Sequence, residues 1–189
     1  MSDFTIRALD DSTWEAFADL AANSGGWPSG CWCMAFHEEG AEKNSAALNR
    51  KRKMGRVMSG TAHAALVFED DDCVGWCQFG SPEELPRIKS RAAYDKSAGN
   101  PPDWRIGCCY VAKGHRRQGV FQAGLAGALD LIAYMGGGVV EGYPEPADAV
   151  SAGFLYNGAL STYEQLGFTR DRLIGKHRWV VKRTVASTR

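Results

Sequence analysis

An excess of charge of either sign is missing. The 189 residues carry 22 Lys and Arg against 22 Asp and Glu. That balance argues against a broad nucleic-acid-binding surface, which needs clustered positive charge. A long apolar run is missing too. The least polar stretch, 119–140, contains Gln122, Asp130 and a Gly136-Gly137-Gly138 break, so no membrane span is expected. The opening residues, Met1 to Arg7, show neither a basic n-region nor an apolar h-region. A cytoplasmic protein with reduced cysteines is the expectation. There is no internal repeat and no low-complexity linker, and the length suits a single domain over 1–189. Two phosphate-loop signatures are absent: G-x4-G-K-[ST], and G-x-G-x-x-G after a strand.

What is present is glycine, at 22 residues, with six tryptophans and six cysteines. This much glycine suggests close approach of backbone at turns or at a ligand. The cysteines fall as Cys31 and Cys33, Cys73 and Cys77, and Cys108 and Cys109. A structural zinc site usually shows two C-x2-4-C knuckles. Here one pair is too close, and adjacent cysteines on a strand face opposite ways. They read as free thiols packed as small hydrophobes, with no metal. A cysteine-based metal protein is the competing view.

Apolar periodicity predicts a strand over 4–9, then a helix over 13–22 with Trp14, Phe17 and Leu20 on one side. A Gly- and Pro-punctuated loop follows over 23–30. A second helix over 44–59 is expected to bury Ala47, Leu48, Met54, Val57 and Met58. Its basic side, from Arg50 through Lys53 to Arg56, is expected in solvent. Two apolar runs, 63–68 and 73–79, flank an acidic tip and read as a hairpin. Residues 81–102 hold four prolines and read as a long excursion with a helical turn near 88–94. Then come a strand over 104–111, a basic turn over 113–119, and a helix over 120–135 ended by glycines. A strand over 139–143, a helix over 161–166 and a hairpin of 169–174 with 177–185 complete the chain. The order implies an α/β domain: one mixed sheet covered by helices.

Chemistry concentrates at Arg116-Arg117-Gln118-Gly119-Val120-Phe121, where a strand ends and a helix begins. The first turn of a helix offers unpartnered N–H groups and the positive dipole end, which bind phosphate. Gly119 lets backbone approach an anion, and Arg116 and Arg117 add charge. A pyrophosphate suits such a turn.

The run R-x-x-G-x-[GA] after a strand resembles the acyl-CoA loop of the GNAT N-acetyltransferase superfamily. Phe121 stands where many members have Gly or Ala. Thr162-Tyr163-Glu164-Gln165-Leu166-Gly167-Phe168 is similar to the family's Y-x-x-x-G-F ending. The resemblance covers residues 104–168 most firmly. It implies the GNAT fold: a mixed, largely antiparallel sheet of six or seven strands flanked by about four helices. It also implies acetyl-CoA as cosubstrate and an amine as acceptor, with no nucleic-acid or membrane partner and a possible homodimer.

By that resemblance Cys109, Tyr110 and Val111 would present backbone to the pantetheine arm. The loop from Arg116 through Arg117, Gln118, Gly119 and Val120 to Phe121 would hold the pyrophosphate, and Asn157 would touch CoA. Tyr163 would be the general acid that protonates the leaving thiolate. An acceptor amine of pKa about 10.4 reaches its neutral form at pH 7 only at a cost of about 4.6 kcal/mol, so a base is useful. Some members place a glutamate where Arg105 stands. Glu141, inside an apolar strand, is the best substitute, and its competing reading is a structural partner of Arg105. Asp103, Glu83 and Glu84 are weaker options. Trp27, Trp32 and Trp76 would wall the acceptor pocket, or else pack as core. His115 reads as a turn residue. A covalent intermediate on Cys108 or Cys109 has nothing visible to activate the thiol. The sequence thus reads as an acetyl-CoA-dependent N-acetyltransferase working by direct attack. A non-catalytic acyl-CoA-binding or sensing module is the alternative.

Overall fold

The computed structural model describes residues 4–24, 30–42, 45–97, 99–149 and 155–189. Seven strands form one sheet in the order β1-β2-β3-β4-β5-β7-β6. They are β1 (Phe4–Ala8), β2 (His63–Glu69), β3 (Asp72–Gly80), β4 (Trp104–Val111), β5 (Gly138–Gly142), β6 (Thr169–Ile174) and β7 (Arg178–Val185). Every pairing is antiparallel except β4 with β5. Five α-helices are described: α1 (Trp14–Asn23), α2 (Ala46–Met58), α3 (Arg91–Lys96), α4 (Val120–Tyr134) and α5 (Leu160–Gln165). α3 lies within the expected excursion, three residues later than the expected helical turn.

Two apolar layers sandwich the sheet. On one face α4 and α5 bury Leu125, Ala128, Ile132 and Tyr163 against Cys77, Ile106, Val140 and Val181. On the other, α1 and the loop after it bury Trp14, Phe17, Trp32 and Met34 against Leu66, Phe68 and Trp76. α4 lies close on the sheet because it is glycine-bearing there. A Cβ at Gly127 would stand 2.5 Å from Ile6 Cγ2.

α2 contradicts its expected orientation. Its buried line is Asn49, Lys53 and Val57, spaced four apart, while Leu48, Met54 and Met58 are exposed. Only part of the basic side is in solvent. Lys53 is 1% exposed, with Nζ 3.2 Å from His37 Nε2 and over the Phe17 ring. Asn49 Nδ2 donates to Gly30 O (2.9 Å). These tertiary partners compensate the buried polar groups, and no local pattern along the helix reveals them. Arg56 pairs with Glu39 (2.8 Å) and Arg52 with Glu42 (2.6 Å).

The feature that positions the site is a split between β4 and β5. They pair only at Trp104 with Val140 and Arg105 with Glu141. β4 also bulges there: Cys77 faces Cys109 and Phe79 faces Ile106, so one β3 residue stands opposite two of β4. Just past the split, β4 leads through a short 3-10 turn (Lys113–His115) into α4.

Candidate functional site

The turn between β4 and α4 opens a cleft of about 280 Å³. Val111, Arg116, Arg117, Gly119, Val120 and Phe121 line it, together with His115, Gln122 and Thr162. Six of the ten residues expected to bind cofactor thus share one cavity. Arg117 (φ 64°) and Gly119 (φ 89°) take left-handed backbone, which turns the chain sharply into α4. The first helical bond is Ala123 N–H to Gly119 O (2.9 Å), so the amides before it have no intrahelical acceptor. No acidic side chain is among the described lining residues. His115, in the turn as expected, is half-buried at the cleft, with Nδ1 3.0 Å from Glu69 Oε2. Gln118 does not line the cleft; its Nε2 donates to Gly114 O (3.0 Å) and braces the turn.

Phe121, where a small residue was expected, is accommodated by Gly158. A Cβ at Gly158 would lie 2.0 Å from the Phe121 ring. The ring also sits 6.0 Å from that of Tyr163.

The split between β4 and β5 is different. Residues 156–160 cross it like an added strand. Cys109 N–H donates to Tyr156 O (2.7 Å), and Leu160 N–H donates to Glu145 O (3.0 Å) on the far side. Asn157 is buried, with Nδ2 donating to Gly107 O (3.0 Å) and Oδ1 accepting from Arg178 Nη1 (3.0 Å). Its carbonyl accepts from Tyr163 Oη (2.9 Å). Tyr163 is fully buried. Burial pushes its phenol well above the ordinary value, and the neighbouring Cys109 and Cys77 thiols act in the same direction. The Asn157 side chain and the Tyr163 hydroxyl therefore engage the chain itself. No signal in the sequence pointed to this bridge.

Tyr110 stacks on Trp76 (4.7 Å) and donates its hydroxyl to Ser24 O (2.7 Å), so its side chain ties β4 to the end of α1. Cys109 Sγ lies 3.4 Å from Cys77 Sγ, its register partner. Burial raises the Cys109 thiol well above its usual value. Cys77 and Cys109 thus meet across the sheet rather than with their neighbours in sequence, and no group of three or more metal-ligating side chains occurs among the described residues.

Glu141 and Tyr163 are not brought together. Successive residues of β5 face opposite ways. A Cβ at Gly142 would lie 2.3 Å from the Tyr163 ring, so Tyr163 covers one face while Glu141 points to the other. There Glu141, fully buried, accepts from Tyr94 Oη (2.8 Å) and Tyr143 Oη (3.0 Å). Lys182 Nζ stands 3.4 Å from its other oxygen. Its register partner Arg105 is buried and donates to Leu85 O (2.8 Å). Glu141 thus anchors α3 through Tyr94, and its partners are Tyr94, Tyr143 and Lys182, not Arg105.

Trp32 and Trp76 are buried in the layer on the α1 side of the sheet. Trp32 stacks on Trp14 (6.2 Å), and Trp76 packs on Phe17 (5.1 Å) with Nε1 donating to Cys33 Sγ (2.8 Å). Trp27 lies outside the described residues.

This combination of sheet order, split and helix-capped cleft is the GNAT acetyltransferase fold. The chain is similar over 97% of its length to an acetyltransferase of the GNAT family from Streptococcus pneumoniae, at 10% identity, TM-score 0.52 and full coverage of that chain. It is also similar to a Corynebacterium glutamicum protein described as histone acetyltransferase HPA2 and related acetyltransferase, with 14% identity, TM-score 0.58 and 98% of both chains covered. A third is the PaiA N-acetyltransferase of Thermoplasma acidophilum in complex with coenzyme A, with 16% identity, TM-score 0.55, and 96% of this chain and 99% of that one covered. No protein-family model matches the chain, and no curated protein sequence matches it. No helix among the described residues is long and apolar enough to cross a membrane.

Proposed function

We propose that the chain is an acetyl-CoA-dependent N-acetyltransferase that moves an acetyl group to an amine by direct attack. The observation that carries this reading is the arginine-flanked cleft at the amino terminus of α4, directly after a strand that splits from its neighbour. Arg116 and Arg117, with the free amides of the α4 first turn, hold a diphosphate by charge-assisted hydrogen bonds. Val111 and Cys109 then offer main-chain groups to the amide-bearing arm. Cys109 N–H and Gly107 O now pair with Tyr156 O and Asn157 Nδ2, and arm amides exchange for those partners.

In the reaction the amine nitrogen forms a bond to the acetyl carbon, and the carbon–sulfur bond breaks. Tyr163 Oη donates its proton to the departing sulfur and regains one from the amine through water. A phenol held protonated by burial suits an acid better than a base. Glu141 takes no part, so the acceptor enters as a neutral amine or loses its proton to water.

The alternative, a non-catalytic acyl-CoA-binding or sensing module, is favoured by the enclosure of Glu141 and the bridged split. Calorimetry with CoA tests the shared premise, and thiol release from acetyl-CoA with a panel of amines separates the two. Micromolar binding with amine-dependent release is expected. Binding without release with any amine points to the module, and no heat with CoA removes both.

A further inference from the structure

One buried polar cluster lies outside that chemistry. Gln78 sits in apolar β3 and is fully enclosed, as are His37 and Lys53. Gln78 Nε2 donates to Cys33 O (3.1 Å) and to His37 Nε2 (3.0 Å). His37 Nδ1 stands 2.9 Å from Glu84 O, which only accepts, so the ring proton is on Nδ1 and Nε2 is an acceptor. Lys53 Nζ converges on that same nitrogen at 3.2 Å. With its two donors committed, the Gln78 amide is fixed in one orientation, and Oε1 is aimed at β4.

There it receives Cys108 N–H (3.3 Å). Gln78 is the β3 residue that stands opposite both Gly107 and Cys108. A bulge leaves one residue without its ladder partner, and a buried amide in that state must find another acceptor. Gln78 supplies it. A second observation agrees: a Cβ at Gly107 would stand 2.9 Å from Gln78 Oε1, so the bulge is shaped around this amide. The bulge puts Ile106 and Cys109 into the same core layer. It also directs Gly107 O and Cys109 N–H into the split.

We propose that Gln78, locked by Cys33 O and His37, is a positioning residue that pins the β4 bulge. It thereby sets the two main-chain groups that face the acyl arm. This role rests on the acyl-CoA reading.

The test is calorimetry with two ligands, CoA and 3′,5′-ADP, the second carrying the adenosine with the 3′-phosphate and the inner 5′-phosphate but neither the outer phosphate nor the arm. Gln78→Leu is expected to weaken CoA about 10-fold and to leave 3′,5′-ADP within about two-fold of wild type. Gln78→Glu, which keeps an acceptor for Cys108 N–H but loses the donors to Cys33 O and His37 Nε2, is expected to bind CoA with an affinity between those of wild type and the leucine variant. Gln78→Asn is polar but one methylene short of the bulge, and it carries the leucine expectation if Gln78→Leu does not fold. Equal losses for both ligands, no loss for either, or a glutamate variant as impaired as leucine overturns the assignment. A wild-type chain that binds neither ligand overturns the acyl-CoA reading itself, and the role of Gln78 with it.

Discussion

The two halves of the proposed site are built on opposite plans. The α4 end is open and cationic, its amides and arginines facing a cavity. The β4–β5 split is sealed and neutral, its main-chain groups already paired with Tyr156 and Asn157 and its phenol with a carbonyl. Phosphate recognition needs exposed charge, which costs little while solvated. Acyl-arm recognition needs buried amides, which cannot stand unpaired without a cost of about 1–3 kcal/mol each. On the proposed reading the first half is therefore preformed, and the second is held by stand-in partners that the acyl arm would replace.

Turnover should break this contrast most visibly. Tyr163→Phe is expected to lower kcat for acetyl transfer about 100-fold while leaving CoA affinity near wild type. Unchanged turnover in a thiol-release assay would make Tyr163 only an anchor for Asn157. Next in size is the open half: Arg117→Glu should weaken CoA and 3′,5′-ADP alike, by about 30-fold. Wild-type affinity for both should fall as salt rises, and the slope should flatten in that variant.

Acid should act instead on the buried cluster that holds Gln78. Burial, with Lys53 and Arg56 nearby, holds His37 down to about 2 from an ordinary 6.5. The unfolded chain therefore binds a proton below pH 6.5 that the folded chain refuses. Stability contributed by neutral His37 is complete above that value and declines as pH falls toward about 2. Between pH 6.5 and 5 the loss is about 2 kcal/mol. Denaturant melts across that range should show it, with a shallower slope in His37→Gln. The smallest effect has an informative sign. Asn157→Ala removes the bonds to Gly107 and Arg178, so CoA is expected to bind about three-fold tighter while 3′,5′-ADP is unchanged. Weaker CoA binding would instead make Asn157 a direct contact.

The same contrast explains what the amino-acid sequence disclosed. Strands and helices with clean periodicity, such as α4 with Leu125, Ala128 and Ile132, were legible, as was the tight basic turn that leads into α4, because each is a local pattern. The orientation of α2 was not, since Lys53 is buried by partners from α1 and the loop after it. Glu141 stood out correctly as a costly carboxylate in an apolar strand, but of its partners only Tyr143 is local, while Tyr94 and Lys182 come from α3 and β7. Gln78 offered the same kind of signal within Val74-Gly75-Trp76-Cys77-Gln78-Phe79 and was missed. The bridge at 156–160 left no trace, because main-chain pairing across a split depends on topology rather than on residue type.

The tryptophans are unevenly spread. Trp14, Trp32 and Trp76 share one layer with Phe17, whereas Trp104 and Trp179 flank the other. Intrinsic emission will therefore be weighted toward the α1 side of the sheet. A fluorescence melt would follow that layer, and a far-ultraviolet dichroism melt would follow the whole sheet. Divergence of the two traces would reveal that the layers come apart separately.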